Sequence, residues 1–133
     1  MKQNQLQPLN IIIPISLGEL VDKISILEIK YEKINSIKVN NIEKELSLLK
    51  NIFNELSIDI DNALLISLRD VNKLIWEFED DLRLKEMNLE FDDHFINLAR
   101  SVYKMNDKRS KIKREINYRY NSSIIEEKSY SNY

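Results

Sequence analysis

A chain of 133 residues is one ordinary domain, long enough to bury a core. Its hydrophobic content of 43% and charged content of 32% suit a soluble helical protein rather than a disordered one, and a formal net charge of −2 gives no general attraction to nucleic acid. A single glycine excludes phosphate-cradling glycine loops, and the lack of cysteine excludes disulfides, cysteine-zinc sites and thiol catalysis.

The sequence divides into an extension over residues 1–10, one helical domain over 11–120 and a tail over 121–133. Residues 9–15 hold the β-branched run Ile11, Ile12, Ile13 and Ile15, which predicts a short extended segment, with Pro14 suited to an edge or a strand end. The run is too short to cross a bilayer and lacks the basic flank and cleavage site of a signal peptide. A cytoplasmic protein without membrane contact is therefore expected. Ser123, Ile124 and Ile125 form the other β-leaning stretch, so the two ends are expected to pair, within one chain or between two.

Ser16 followed by Glu19 reads as a capping box at the start of the first helix. Leu17, Leu20, Ile24, Leu27, Tyr31 and Ile34 follow at spacings of three and four. Ile26 and Ile29 add a second apolar side, which places this helix at the centre of the fold or in an oligomer interface. The second helix is predicted over residues 41–56, capped by Asn40 or Asn41, with Ile42, Leu46, Leu49, Phe53 and Leu56 on its inner face. The third starts near Asp61 and runs to about Asn88. Its seam of Leu64, Leu68, Val71, Ile75, Phe78 and Leu82 has coiled-coil character, with Trp76 packing at its edge. The fourth starts at Asp92 or Asp93. Its seam is Phe95, Leu98, Val102, Met105, Arg109, Ile112 and Ile116, in which Arg109 is the one charge. Short connections make neighbours antiparallel, so the expected fold is all-α: an antiparallel bundle of about four helices in two hairpins. The tail either frays or docks through Ile124, Ile125 and Tyr130.

Charge is segregated along the last hairpin. Residues 77–93 carry eight acids against Arg83 and Lys85, a net of −6, and residues 100–119 carry eight bases against Asp107 and Glu115, a net of +6. A turn near residue 90 puts Arg100 opposite Glu79 and Asp80, and Arg83 opposite Asn97. One reading is a solvated, salt-bridged surface. The sharper one is a small-anion site of Arg100, Asn106, Arg109 and Lys113, with Glu79 or Asp80 orienting Arg100. Arg83 and, from the first helix, Asp22 and Lys23 complete the candidate polar set. Arg109 is expected to be substantially buried and paired with an acid or carbonyl from the first or third helix. Tyr103, Tyr118 and Tyr120 interleave with the basic run, but its acidic neighbours argue against nucleic acid.

Glu19 with Asp22 and Glu77 with Asp80 are spaced like the paired acids of all-α nucleotide pyrophosphohydrolases, which hold Mg²⁺. The helix cap claims Glu19, and His94 is the only histidine, so no metal or cofactor is assigned.

Five stretches carry a family resemblance: Gly-Glu-Leu-Val-Asp-Lys-Ile-Ser-Ile-Leu-Glu-Ile-Lys (18–30), Trp-Glu-Phe-Glu-Asp-Asp-Leu-Arg-Leu-Lys-Glu (76–86), Leu-Ala-Arg-Ser-Val-Tyr-Lys-Met-Asn-Asp-Lys-Arg (98–109), Ile-Lys-Arg-Glu-Ile-Asn (112–117) and Glu-Glu-Lys-Ser-Tyr (126–130). From about residue 11 the chain resembles an uncharacterised family of small helical bacterial and phage proteins. The resemblance implies a bacterial or phage origin and no particular activity. From the residues themselves, the leading expectation is a non-catalytic interaction protein or homodimer, since no nucleophile-base pair stands out. The alternative is a protein or enzyme that binds a phosphate or carboxylate metabolite through the Arg/Lys/Glu cluster.

Overall fold

The computed structural model describes residues 6–129. It has four helices: α1 (Leu17–Lys33), α2 (Val39–Glu55), α3 (Asn62–Met87) and α4 (Asp93–Arg119). The fold is the expected all-α bundle of two helical hairpins. Among the described residues there is no strand.

Local chemistry sets most boundaries. Ser16 caps α1 by accepting from the Glu19 backbone N–H, Asp61 caps α3 through Ala63, and Asp92 caps α4 through Phe95. At α2 the sequence reading is corrected. The helix starts at Val39 with Lys38 as its N-cap, and no side chain caps it. Neither Asn40 nor Asn41 has that role, because both lie inside the helix.

Three helix ends close in the same way. Ser57, Leu89 and Asn121, each two residues past the last helical position, adopt φ of 51°, 54° and 57°. After α3 and α4 the next N–H returns to the helix, from Glu90 to Lys85 O at 2.9 Å and from Ser122 to Asn117 O at 2.8 Å. These are Schellman closures, made here without glycine.

α1 is the centre of the fold, one of the two placements its two apolar sides allowed, and packs against all three other helices. Ile29, on the second side, is fully buried and Ile26 is half-buried. The main core joins Leu17 and Val21 of α1 to Ile60, Leu64 and Leu68 and to Ile116 of α4. α2 rests on α1 alone among the helices. Its inner face is correspondingly shallow: Ile42 is buried, Leu46, Leu49 and Phe53 are half-buried, and Leu56 is exposed.

The tail meets the start of α1 rather than residues 9–15, and not as a ladder. Ile11, Ile12 and Ile13 are exposed, and the link runs through side chains. The Ser16 hydroxyl donates to Glu126 Oε2 at 2.7 Å, and the Leu17 N–H donates to Ser122 Oγ at 3.1 Å. Ser122 Oγ of the tail thus occupies one free backbone donor of the α1 start, and Glu126 accepts from the hydroxyl that caps the helix. Ile124 and Ile125 are half-buried, as a docked tail requires; Tyr130 lies outside the described residues.

α1 sits at the open end of the α3–α4 hairpin. Its hydrogen bonds and ion pairs to the hairpin include Arg69 and Asn72 of α3 and Lys113 and Asn117 of α4, all toward the open end. Beyond Ile75 the hairpin continues as a two-helix arm, in which Leu98 is the only buried residue from Trp76 to Asn106. The seam predicted for α3 is buried as far as Ile75, while Phe78 and Leu82 are half-buried on the arm.

Candidate functional site

Where α1 crosses the hairpin, polar groups gather in the interior. Gly18 makes the crossing close. A Cβ there would lie 2.5 Å from Lys113 O and 2.9 Å from Asn117 Oδ1. The contact is used: the Gly18 N–H donates to Asn117 Oδ1 at 2.6 Å, which satisfies one of the free donors at the start of α1. The sole glycine of the chain therefore serves a helix crossing rather than a turn.

One turn on, Asp22 is 3% exposed. A carboxylate so buried must be paired. Asn72 Nδ2 donates to Asp22 Oδ1 at 2.9 Å, and Lys113 Nζ stands 3.5 Å from Oδ2. The same ammonium donates to Glu19 Oε2 at 2.6 Å. Asn72 also reaches Ser25 Oγ at 3.3 Å, while its own Oδ1 is buried without a hydrogen-bond partner. Lys23 lies outside, exposed and 3.7 Å from Glu19. Burial pushes the Glu19 carboxyl up, but the Lys113 hydrogen bond and charge, with the charges of Lys23 and Arg109, hold it below its usual range.

Two expectations change here. Ser16 keeps its half of the capping box, but the Glu19 carboxylate turns to Lys113 and Lys23 instead of completing it. Arg109 is half-buried and influences Glu19 only as a charge at longer range; among the described residues it forms no ion pair within 4.0 Å. The paired cation is Lys113, one helical turn farther along α4, because α1 crosses at that level.

The candidate polar set is therefore divided. Asp22, Lys23, Arg109 and Lys113 surround the α1 crossing. Asn106 is half-buried at the base of the arm, and its carbonyl accepts from Ser110 Oγ. Glu79, Asp80, Arg83 and Arg100 are exposed on the arm, farther from α1 than Asn72. Glu77 is exposed there too, so the two acidic pairs do not converge. Among the described residues no three His, Cys, Asp or Glu side chains come together. His94 is exposed in the first turn of α4.

The pattern reading passed over Asn72 and Asn117. Both carried a signal: each is an asparagine beside a buried seam residue, Val71 and Ile116, on a helix whose asparagines would otherwise face water.

A second feature lies on the other side of α1. A cavity of about 490 Å³ opens between α1, α2 and α3, walled by Ile24, Phe53, Leu65 and Ile66. Arg69 also lines it, donating to Glu28 at 2.6 Å and bonding Glu32.

The third is the arm. Its tip is fixed by Lys85, which bonds Glu90 at 3.0 Å and Asp92 at 2.8 Å across the turn, and by Phe91 set edge-on to Phe95 at 5.3 Å. Leu84, Met87, Leu89, Phe91 and Ile96 are nonetheless exposed, Met87 at 79%.

A family model covers the crossing, the arm and the docked tail together, matching residues 11–133. The chain belongs to a family of unknown function, DUF6165. No curated protein and no solved structure matches it. Among the described residues no helix is long and apolar enough to cross a membrane.

Proposed function

We propose that this DUF6165 protein is a non-catalytic interaction protein that presents the α3–α4 arm to another protein chain. The observation carrying the reading is the apolar surface of the arm. Five large apolar residues stand in water near the tip of a helical pair that α1 and α2 leave uncovered. Single exposed apolar residues need no explanation, but a group at one end of a projecting element is the mark of a contact surface. The polar crossing supports this reading from the other side. Its cation is already shared by two carboxylates, so Lys113 has no charge left for a free anion. Its role is to lock α1 to the base of the arm.

The test replaces Met87 and Phe91 together by glutamate. Met87 is exposed and Phe91 more than half exposed, so the variant should keep the wild-type far-UV spectrum, with at most a small fall in thermal midpoint from the lost Phe91–Phe95 ring contact. Light scattering and chemical cross-linking should show an association of the wild type that the variant loses. A variant that retains every association of the wild type overturns the reading, as does a wild type that is strictly monomeric at high concentration and engages no other protein.

A further inference from the structure

We infer that the partner of the arm is a second copy of this chain, laid antiparallel alongside it about a two-fold axis. The inference rests on the arm being the contact surface and adds who binds it and in which direction. It comes from how charge is graded along the arm. Near the tip, residues 84–96 hold Glu86, Glu90, Asp92 and Asp93 against Lys85, a net of −3 with His94 neutral. Nearer the base, residues 104–111 hold Lys104, Lys108, Arg109 and Lys111 against Asp107, a net of +3.

Two arms side by side in the same direction would bring −3 beside −3. Reversing one lays each acidic tip along the basic base of the other, at both ends at once because the axis repeats the contact. Like charges in contact oppose the first arrangement, and opposite charges favour and steer the second.

The length of the arm agrees. From Asn72, which hydrogen-bonds Asp22 of α1, to Asn88 at the turn is 16 residues, about 24 Å of helix. Reversed arms overlapping over that span place Leu84 of one copy level with Trp76 of the other, and Met87 level with Lys73, one residue before Leu74. Leu74 is exposed and Trp76 half-buried, so an apolar side chain stands level with Leu84 and another within one residue of the level of Met87. Counting back from the turn, Lys108 on α4 lies at the level of Asn72, beside the tip of the reversed copy.

Because the chain has no cysteine, single-cysteine variants read the arrangement directly. Met87→Cys and Lys108→Cys change exposed side chains. The two full-length variants are mixed in equal amounts and treated with a short bismaleimide. The expected main product joins Met87→Cys to Lys108→Cys. Met87→Cys alone should give little product, since the two tips would stand about 20 Å apart. Raising salt from about 50 mM to about 0.5 M should lower the mixed product several-fold by screening the graded charges. If Met87→Cys cross-links to itself in preference, the antiparallel arrangement is wrong while the arm remains the contact. If no combination gives product and light scattering shows a monomer, the second copy is wrong. The glutamate variant of Met87 and Phe91 then decides separately whether the arm serves a different protein.

Discussion

Replacing Lys113 by methionine should be the most damaging single change at the α1 crossing. Methionine keeps an unbranched apolar stem of similar reach, so little packing is lost. What is lost is the cation 2.6 Å from Glu19 and 3.5 Å from Asp22. The Asp22 side chain is 5% exposed and cannot recover its hydration, whereas Glu19, at 31%, recovers part. Stranding one partner of a buried pair costs roughly 3–5 kcal/mol, and the partial exposure of Glu19 puts the expectation at the low end, about 3 kcal/mol. In a domain of this size that lowers the thermal midpoint by about 10 °C. Urea unfolding followed by far-UV circular dichroism at neutral pH measures it. Adding Asp22→Asn to Lys113→Met removes the stranded charge and should restore roughly 1–2 kcal/mol, a coupling typical of residues in one network. A cost below about 1 kcal/mol for Lys113→Met, the ordinary centre for point substitutions, would refute the reasoning, as would a double variant whose losses simply add.

Gly18→Ala should destabilise the protein by roughly 1–3 kcal/mol even though alanine is the better helix former, because the new Cβ would meet the backbone oxygen of Lys113, which cannot rotate away. Urea unfolding checks it, and a neutral or stabilised variant would show that α1 and α4 can separate freely. Glu19 gives a prediction in pH. Its folded-state pKa is lowered from 4.5, so its contribution is fully present above about that value and is lost as the pH falls through the lower folded value. Stability against pH should therefore fall in that acid window, and Lys113→Met should flatten the fall; an unchanged slope would separate Glu19 from Lys113.

Most of the fold was legible because helical periodicity and capping chemistry are local signals. Asp61 and Asp92 act through donors two and three residues away, so the sequence alone placed those starts. The start of α2 was misplaced because nothing caps it, and an asparagine inside a helix looks the same in sequence as one before it. The extended reading of residues 9–15 rested on β-branched composition. Composition names no pairing partner, and the tail meets Ser16 and Leu17 through Glu126 and Ser122 instead. The site was half legible. A charge in the apolar seam is visible as a break in the pattern, which singled out Arg109; Lys113 entered the candidate set by its spacing from Arg109, and Asp22 by its place near the start of α1. Which cation meets which carboxylate depends on the level at which α1 crosses α4. That level is set by Gly18 and Asn117, about 99 residues apart in sequence, and no local period encodes it. Arg109 was preferred to Lys113 because it interrupts the seam, yet its longer side chain stays half-buried one turn away.

The contacts that hold α1 span almost the whole chain: Gly18 waits for Asn117, Glu19 for Lys113 and Ser16 for Glu126. During synthesis α1 is made before α3 and α4, and its buried carboxylate has no cation until about ninety further residues have been added. At about 5–20 residues per second that interval is roughly 5–20 s. Through it, the apolar residues of α1 and its buried carboxylate lack the α3 and α4 surfaces they pack on in the complete domain. A ribosome that stalls within α4 would release a chain whose first helix has nowhere to go. Within this domain, closure of the α1 crossing therefore waits until Asn117 has been made.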